Sequence, residues 1–141
     1  MKARERLKQI RNYDLKIERS KKQIEDLKER MYTVSAPAPD ADRVKTSGSG
    51  DDKLLNLIAS VERIQRRIER DNARHITAYR EIVAEIERMP TELYKTILIY
   101  RYVLYKPWHV IADDLGYENS YIYRLHQSAV HEYADLNGYE Y

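Results

Sequence analysis

The sequence contains no cysteine. That excludes disulfides, thiolate zinc sites and cysteine nucleophiles together, and it suits a reducing compartment. Phenylalanine is absent too, whereas tyrosine occurs 13 times in 141 residues. Nearly every aromatic ring therefore carries a hydroxyl, and a buried hydroxyl needs a partner. Glycine and proline occur only four times each, while charged residues make up 34% of the chain. Few backbone breakers and abundant charge favour a helix-rich protein of one ordinary domain or two small units. No apolar run approaches the ~20 residues of a membrane helix. The opening MKARERLKQIR lacks the apolar stretch of a secretory signal. No membrane partner is expected, and the expected location is cytoplasmic.

Positive charge is scarce in the last third. Residues 89–141 hold four cations, Lys95, Arg101, Lys106 and Arg124, against seven carboxylates, a net charge of −3. With +2 overall, residues 1–88 carry +5.

Two long helices account for the basic part. Ile10, Tyr13, Ile17, Ser20, Ile24, Leu27 and Met31 alternate at spacings of three and four, a heptad seam within a helix over 2–32. Such a helix is ~46 Å long. Residues 33–52, TVSAPAPDADRVKTSGSGDD, have no apolar periodicity and read as a flexible linker. A second helix spans 53–89, with Leu54, Leu57, Val61, Ile64 and Ile68 on its seam. The pattern then reads as slipping by one residue, to Ile76, Tyr79, Val83 and Ile86, across polar Asp71, Asn72 and His75. An antiparallel, coiled-coil-like hairpin over 1–88 follows, pairing Met31 near Leu54 and Ile10 near His75. Leu55, Ile58 and Ile76 exceed what one partner helix needs, so a homodimer joining two hairpins is a candidate assembly.

Residues 89–141 read as three shorter helices. Leu93, Ile97, Leu98, Arg101 and Tyr102 share one side of the first, which starts at Pro90 and ends before Pro107. Val110, Ile111 and Leu115 form the apolar face of the second, and Gly116 suits its left-handed C-terminal position. The third is capped at Asn119 or Ser120 and carries Ile122, Leu125, Ala129 and Tyr133 on one stripe. The fold class is thus all-α: the long hairpin of 1–88, then a helix-turn-helix unit over 89–141.

Within that unit, LYKTILIYRYVLYKPWHVIADDLGYENSYIYRLHQSAV resembles region 4 of sigma-70-type factors. There a helix ending in Arg-Tyr leads into an Ile-Ala-x-x-Leu-Gly helix, a tight turn and a recognition helix. The segment YIYRLHQSAV is similar to phage and prophage late-transcription regulators of the ArpU and RinA type. The resemblance covers residues 89–135. It implies a non-enzymatic, DNA-binding transcription regulator at promoter DNA in a bacterial host cell, working with RNA polymerase. The residues it assigns to double-stranded DNA are Asn119, Ser120, Tyr121, Tyr123, Arg124 and Gln127. The sequence departs from the family at this surface, because Arg124 is the one cation among them. Asn can pair with adenine and Arg with guanine, and Ser and Tyr can hold phosphates, but little phosphate charge is neutralised. Flanking cations at Lys95, Arg101 and Lys106, or tethering by polymerase, would compensate.

No catalytic, metal or cofactor site is expected. His126 and His131 are five apart, not the three or four of a helical ligand pair. Ser128 and His131 have no orienting third group. Asp113 and Asp114 diverge as helical neighbours. Trp108 reads as a core-edge ring. Two other functions fit the same pattern: a small-terminase-like DNA-packaging oligomer, and a protein-interaction module that binds no nucleic acid.

Overall fold

The computed structural model describes residues 1–35 and 49–141. It is all-α, with α1 at Ala3–Leu7, α2 at Gln9–Ser35, α3 at Ser49–Glu87, α4 at Glu92–Leu98, a π-helical turn at Ile99–Val103, α5 at Trp108–Leu115 and α6 at Asn119–Asn137. Among the described residues, the only extended pairing is an isolated parallel bridge between Lys2 and Glu140. Residues 36–48 of the expected linker lie outside the described residues. Its ends, 33–35 and 49–52, are helical, with Asp51 and Asp52 in the first turn of α3 rather than capping it.

The chain forms two compact units, residues 15–72 on the one hand and residues 1–14 with 73–141 on the other. The expected division at residue 88 is therefore not where compactness divides. The reason is apolar. Ala3, Leu7 and Ile10 are buried in one cluster with Ala78, Ile82 and Ile86 of α3, Met89 just after it, Leu98, Tyr102, and Ala129, Val130, Tyr133 and Ala134 of α6. The short helices of the C-terminal part have too little apolar face to close a core alone.

In the unit 15–72, Ile17, Ser20 and Ile24 of the expected seam are buried, and Leu54, Leu57, Val61, Ile64 and Ile68 are half-buried. Asp26, Glu29 and Arg30 share a cleft with Lys53, Asn56, Leu57 and Ser60. The two helix segments therefore lie side by side there.

Of the set expected after the phase slip in α3, only Ile86 is fully buried. Ile76 is 51% exposed, Tyr79 is exposed and Val83 is only half-buried. The inward positions after Ile68 are Asp71, His75, Ala78, Ile82, Glu85 and Met89, which keep the same alternation of three and four. Polar residues occupy the seam instead of interrupting it. The register differs as well: His75 Nε2 lies 3.0 Å from an Asp14 carboxylate oxygen, not opposite Ile10. Heptads recur every two turns, so an apolar seam fits several registers. A polar pair inside it selects one.

Around the shorter helices, Thr91 is the residue before α4, and its hydroxyl bonds Glu132 at 2.7 Å instead of capping. α5 follows Pro107 and ends on Gly116 at φ +74, the left-handed conformation expected of it. Glu118, not Asn119 or Ser120, occupies the position before α6. Where one regular helix was expected before Pro107, α4 passes into the π-helical turn, and Tyr105 takes φ +57.

A charged cluster binds the core elements. Arg6 of α1 lies 3.0 Å from Glu85 and 2.8 Å from Glu81 of α3. Glu85 also accepts hydrogen bonds from the hydroxyls of Tyr133 and, at 2.8 Å, Tyr139. The Arg6 and Glu85 side chains are 13% and 12% exposed. Burial pushes the Glu85 carboxyl up, but hydrogen bonds from Arg6, Tyr133 and Tyr139 and the charge of Arg6 outweigh this and hold it below the usual range. A carboxyl depressed in the folded state stabilises fully above its unfolded pKa and loses that contribution as pH falls through the folded value. Glu85→Ala leaves a cation and two hydroxyls without their acceptor and should cost about 3–5 kcal/mol in urea unfolding at neutral pH. The gap to wild type should narrow as pH falls below ~4, where wild type loses the same carboxylate.

Candidate nucleic-acid interface

α5 and α6 are held together by Ile111, Ala112 and Ile122, all buried, with Tyr100, Trp108, Leu115 and Leu125 packed against them. Ala112 is small where the two helices meet. The Tyr117 N–H bonds the Ala112 carbonyl at 2.9 Å, which closes the turn after Gly116. This arrangement decides which side of α6 faces outward.

The outward side holds the six residues singled out in the sequence. Asn119, Ser120, Tyr121, Tyr123, Arg124 and Gln127 are all exposed. Ile122 and Leu125, between them, turn inward. Tyr121 packs edge-on against Tyr117, with ring centroids 5.2 Å apart, and the Arg124 guanidinium lies 5.6 Å from the Tyr121 ring centre. No carboxylate among the described residues pairs with Arg124. The first turns of α6 thus present one free guanidinium, one carboxamide and several hydroxyls on a rigid support.

An aromatic group braces this face. The Trp108 indole lies 5.7 Å from the Tyr123 ring, 4.5 Å from His126 and 4.5 Å from the Arg101 guanidinium. Trp108 is half-buried, the core-edge position expected of it. His126 is 4% exposed, and its Nε2 shares a 2.7 Å hydrogen bond with the Tyr102 hydroxyl. That histidine, which the sequence placed beside the apolar stripe, is the internal polar contact between the π-helical turn and α6.

The flanking cations expected to supplement α6 are mostly engaged. Lys95 pairs with Glu92 at 3.2 Å and Glu87 at 3.8 Å. Lys106 pairs with Asp114 at 2.9 Å and lies over the Tyr100 ring. Arg101 stacks on Trp108 and donates to the Lys106 carbonyl at 3.2 Å, with no carboxylate partner. Asp113 and Glu118 are exposed near the turn. Among the described residues, no three His, Asp or Glu side chains converge as a metal site, and no helix is long and apolar enough to cross a membrane.

The geometry defines an all-α protein that displays the start of one helix on a braced two-helix support. Compared with protein-family models, curated proteins and solved structures, the chain matches none.

Burial, followed by the nearby charges of Arg4, Arg101 and Lys8, pushes the His126 pKa down to about 4. A base depressed in the folded state takes up its proton more readily when unfolded, so it removes stability as pH falls from ~6.5 towards its folded value. Between those limits, this residue should contribute a slope of up to about 1.4 kcal/mol per pH unit. Unfolding measured across that range should show the slope in wild type, and much less of it in His126→Gln. An NMR titration should find the His126 ring neutral well below pH 6.

Proposed function

We propose that the protein is a DNA-binding transcription regulator in which α5 and α6 form a helix-turn-helix with α6 as the reading helix. It acts at promoter DNA, with RNA polymerase supplying part of the attachment. The observation that carries this reading is the orientation of α6. Its first turns project Asn119, Ser120, Tyr121, Tyr123, Arg124 and Gln127 into solvent, while Ile122 and Leu125 lock it onto α5. A helix with its N-terminal residues free and its opposite side fixed to a supporting helix can enter a major groove.

The chemistry assigns distinct tasks. Arg124 can donate two hydrogen bonds to a guanine edge, and Asn119 can exchange two with adenine. The hydroxyls of Ser120, Tyr121 and Tyr123 suit phosphate oxygens, which set orientation without carrying sequence. The exposed carboxylates Asp113 and Glu118 oppose a phosphate chain, so α6 by itself is a weak electrostatic anchor. Tethering to polymerase offsets that weakness, because a tethered contact forms at high effective concentration.

A protein-interaction role has its own specific support. Tyr117, Tyr121 and Tyr123 are 38%, 42% and 52% exposed on the same two turns, and tyrosine is favoured at protein interfaces. The two readings separate experimentally. Duplexes selected from a random pool should show a sequence preference, and Arg124→Ala should weaken the selected duplex by about 1–3 kcal/mol. Its thermal unfolding should stay close to that of wild type, since Arg124 is exposed in mid-helix. Equal binding by wild type and Arg124→Ala, with and without polymerase, would assign this face to a protein partner.

A further inference from the structure

Three cations without carboxylate partners meet elsewhere in the unit of residues 1–14 and 73–141. A cleft of ≈ 350 Å³ is lined by Lys8 between α1 and α2, by Arg11 and Asn12 in the first turn of α2, and by Arg101, Tyr102 and Tyr105 around the π-helical turn. None of its lining residues is acidic. Arg11 lies 4.7 Å from the centre of the Tyr105 ring, and the hydroxyl of that ring donates to Asp14. Arg101 lies over Trp108, and Lys8 is exposed with no ion pair among the described residues.

This grouping contrasts with three other cations of the unit. Arg6, Lys95 and Lys106 each meet at least one carboxylate. Three like charges around one cleft repel one another, and an anion placed among them relieves that repulsion. Two are guanidiniums already oriented by aromatic rings, so little freedom is lost when they bind a planar or tetrahedral oxyanion. The backbone is irregular where it presents the cleft: residues 99–103 are π-helical and Tyr105 adopts φ +57. Such departures from regular geometry recur at ligand sites. Behind burial, the charges of Arg4, Arg101 and Lys8 also disfavour protonation of His126.

The cleft and α6 share one support. Arg101 and Tyr123 contact the same indole, at 4.5 and 5.7 Å. We propose that Lys8, Arg11 and Arg101 form a phosphate-binding cleft that grips the DNA backbone beside the base pairs read by α6. This rests on the DNA-reading role of α6 and supplies the phosphate charge that α6 lacks. The two sites divide the work: Arg124 discriminates bases, and the cleft holds the backbone.

The test uses the full chain and a fluorescently labelled mixed-sequence duplex of about two helical turns, across ~50–200 mM salt. Lys8→Gln, Arg11→Gln and Arg101→Gln should each reduce the magnitude of the log–log salt slope by about 1, and should weaken all sequences alike. Arg67→Gln, an exposed cation of the other unit, should leave the slope unchanged. Lys8 is exposed, so its variant reports on binding even if Arg101→Gln perturbs the fold. In parallel, Arg Nε–H resonances are followed while duplex or inorganic phosphate is added, and the duplex should shift Arg11 and Arg101 at far lower concentration. If the three variants keep the wild-type slope while Arg124→Ala still weakens binding, the cleft is overturned and the reading helix stands. If Arg67→Gln lowers the slope as much, diffuse charge replaces the cleft. If inorganic phosphate moves these resonances and duplex does not, the ligand is a free phosphate and the backbone role is overturned. If no duplex binds even at low salt, both proposals fall.

Discussion

The contact between Arg6 and Glu85 is the constraint on which the unit of residues 1–14 and 73–141 depends. Each charge is largely removed from water, and each has the other as its chief compensation. Glu85 then gathers the hydroxyls of Tyr133 and Tyr139. One carboxylate thereby ties α1, α3, α6 and the segment after α6 into a single arrangement. An apolar core of similar size would tolerate sliding among its helices. A carboxylate with three donors does not, because displacing any of them leaves a buried charge or hydroxyl unsatisfied.

The same logic applies to four tyrosines that a phenylalanine could not replace. Tyr133 and Tyr139 donate to Glu85, Tyr105 donates to Asp14, and Tyr102 meets His126. In each case the ring fills apolar space while the hydroxyl reaches a polar group on a different segment. Short helices with narrow apolar faces gain specificity this way, since each hydroxyl accepts only one placement of its ring. Tyr117, Tyr121 and Tyr123, whose hydroxyls meet no polar group among the described residues, form part of the outward face of α5–α6.

That outward face and the basic cleft are physically linked through Trp108. The indole supports Tyr123 from one direction and receives the Arg101 guanidinium from another. Buried, neutral His126 lies against it as well. The orientation of α6 and the position of Arg101 therefore depend on one packed group. Lys95 and Lys106 are spent on intramolecular carboxylates, whereas Lys8, Arg11 and Arg101 have none among the described residues.

Local pattern determined a good deal by itself. The buried seam of α2 and the left-handed stop at Gly116, unlike the set on α6, which came from the family resemblance, follow from spacing and side-chain chemistry within a few residues. The continuation of the α3 seam through Asp71, His75 and Glu85 did not, because a polar residue resembles a break in a heptad until its partner is known. Those partners come from far away in the chain: Asp14 for His75, and Arg6, Tyr133 and Tyr139 for Glu85. The division into units was hidden for the same reason, since residues 1–14 join a core whose other members begin at Ala78. The basic cleft joins residues 8 and 11 to residue 101. Periodicity records which side of a helix is apolar, but the meeting of charges on separate helices is decided only when long-range packing brings them together.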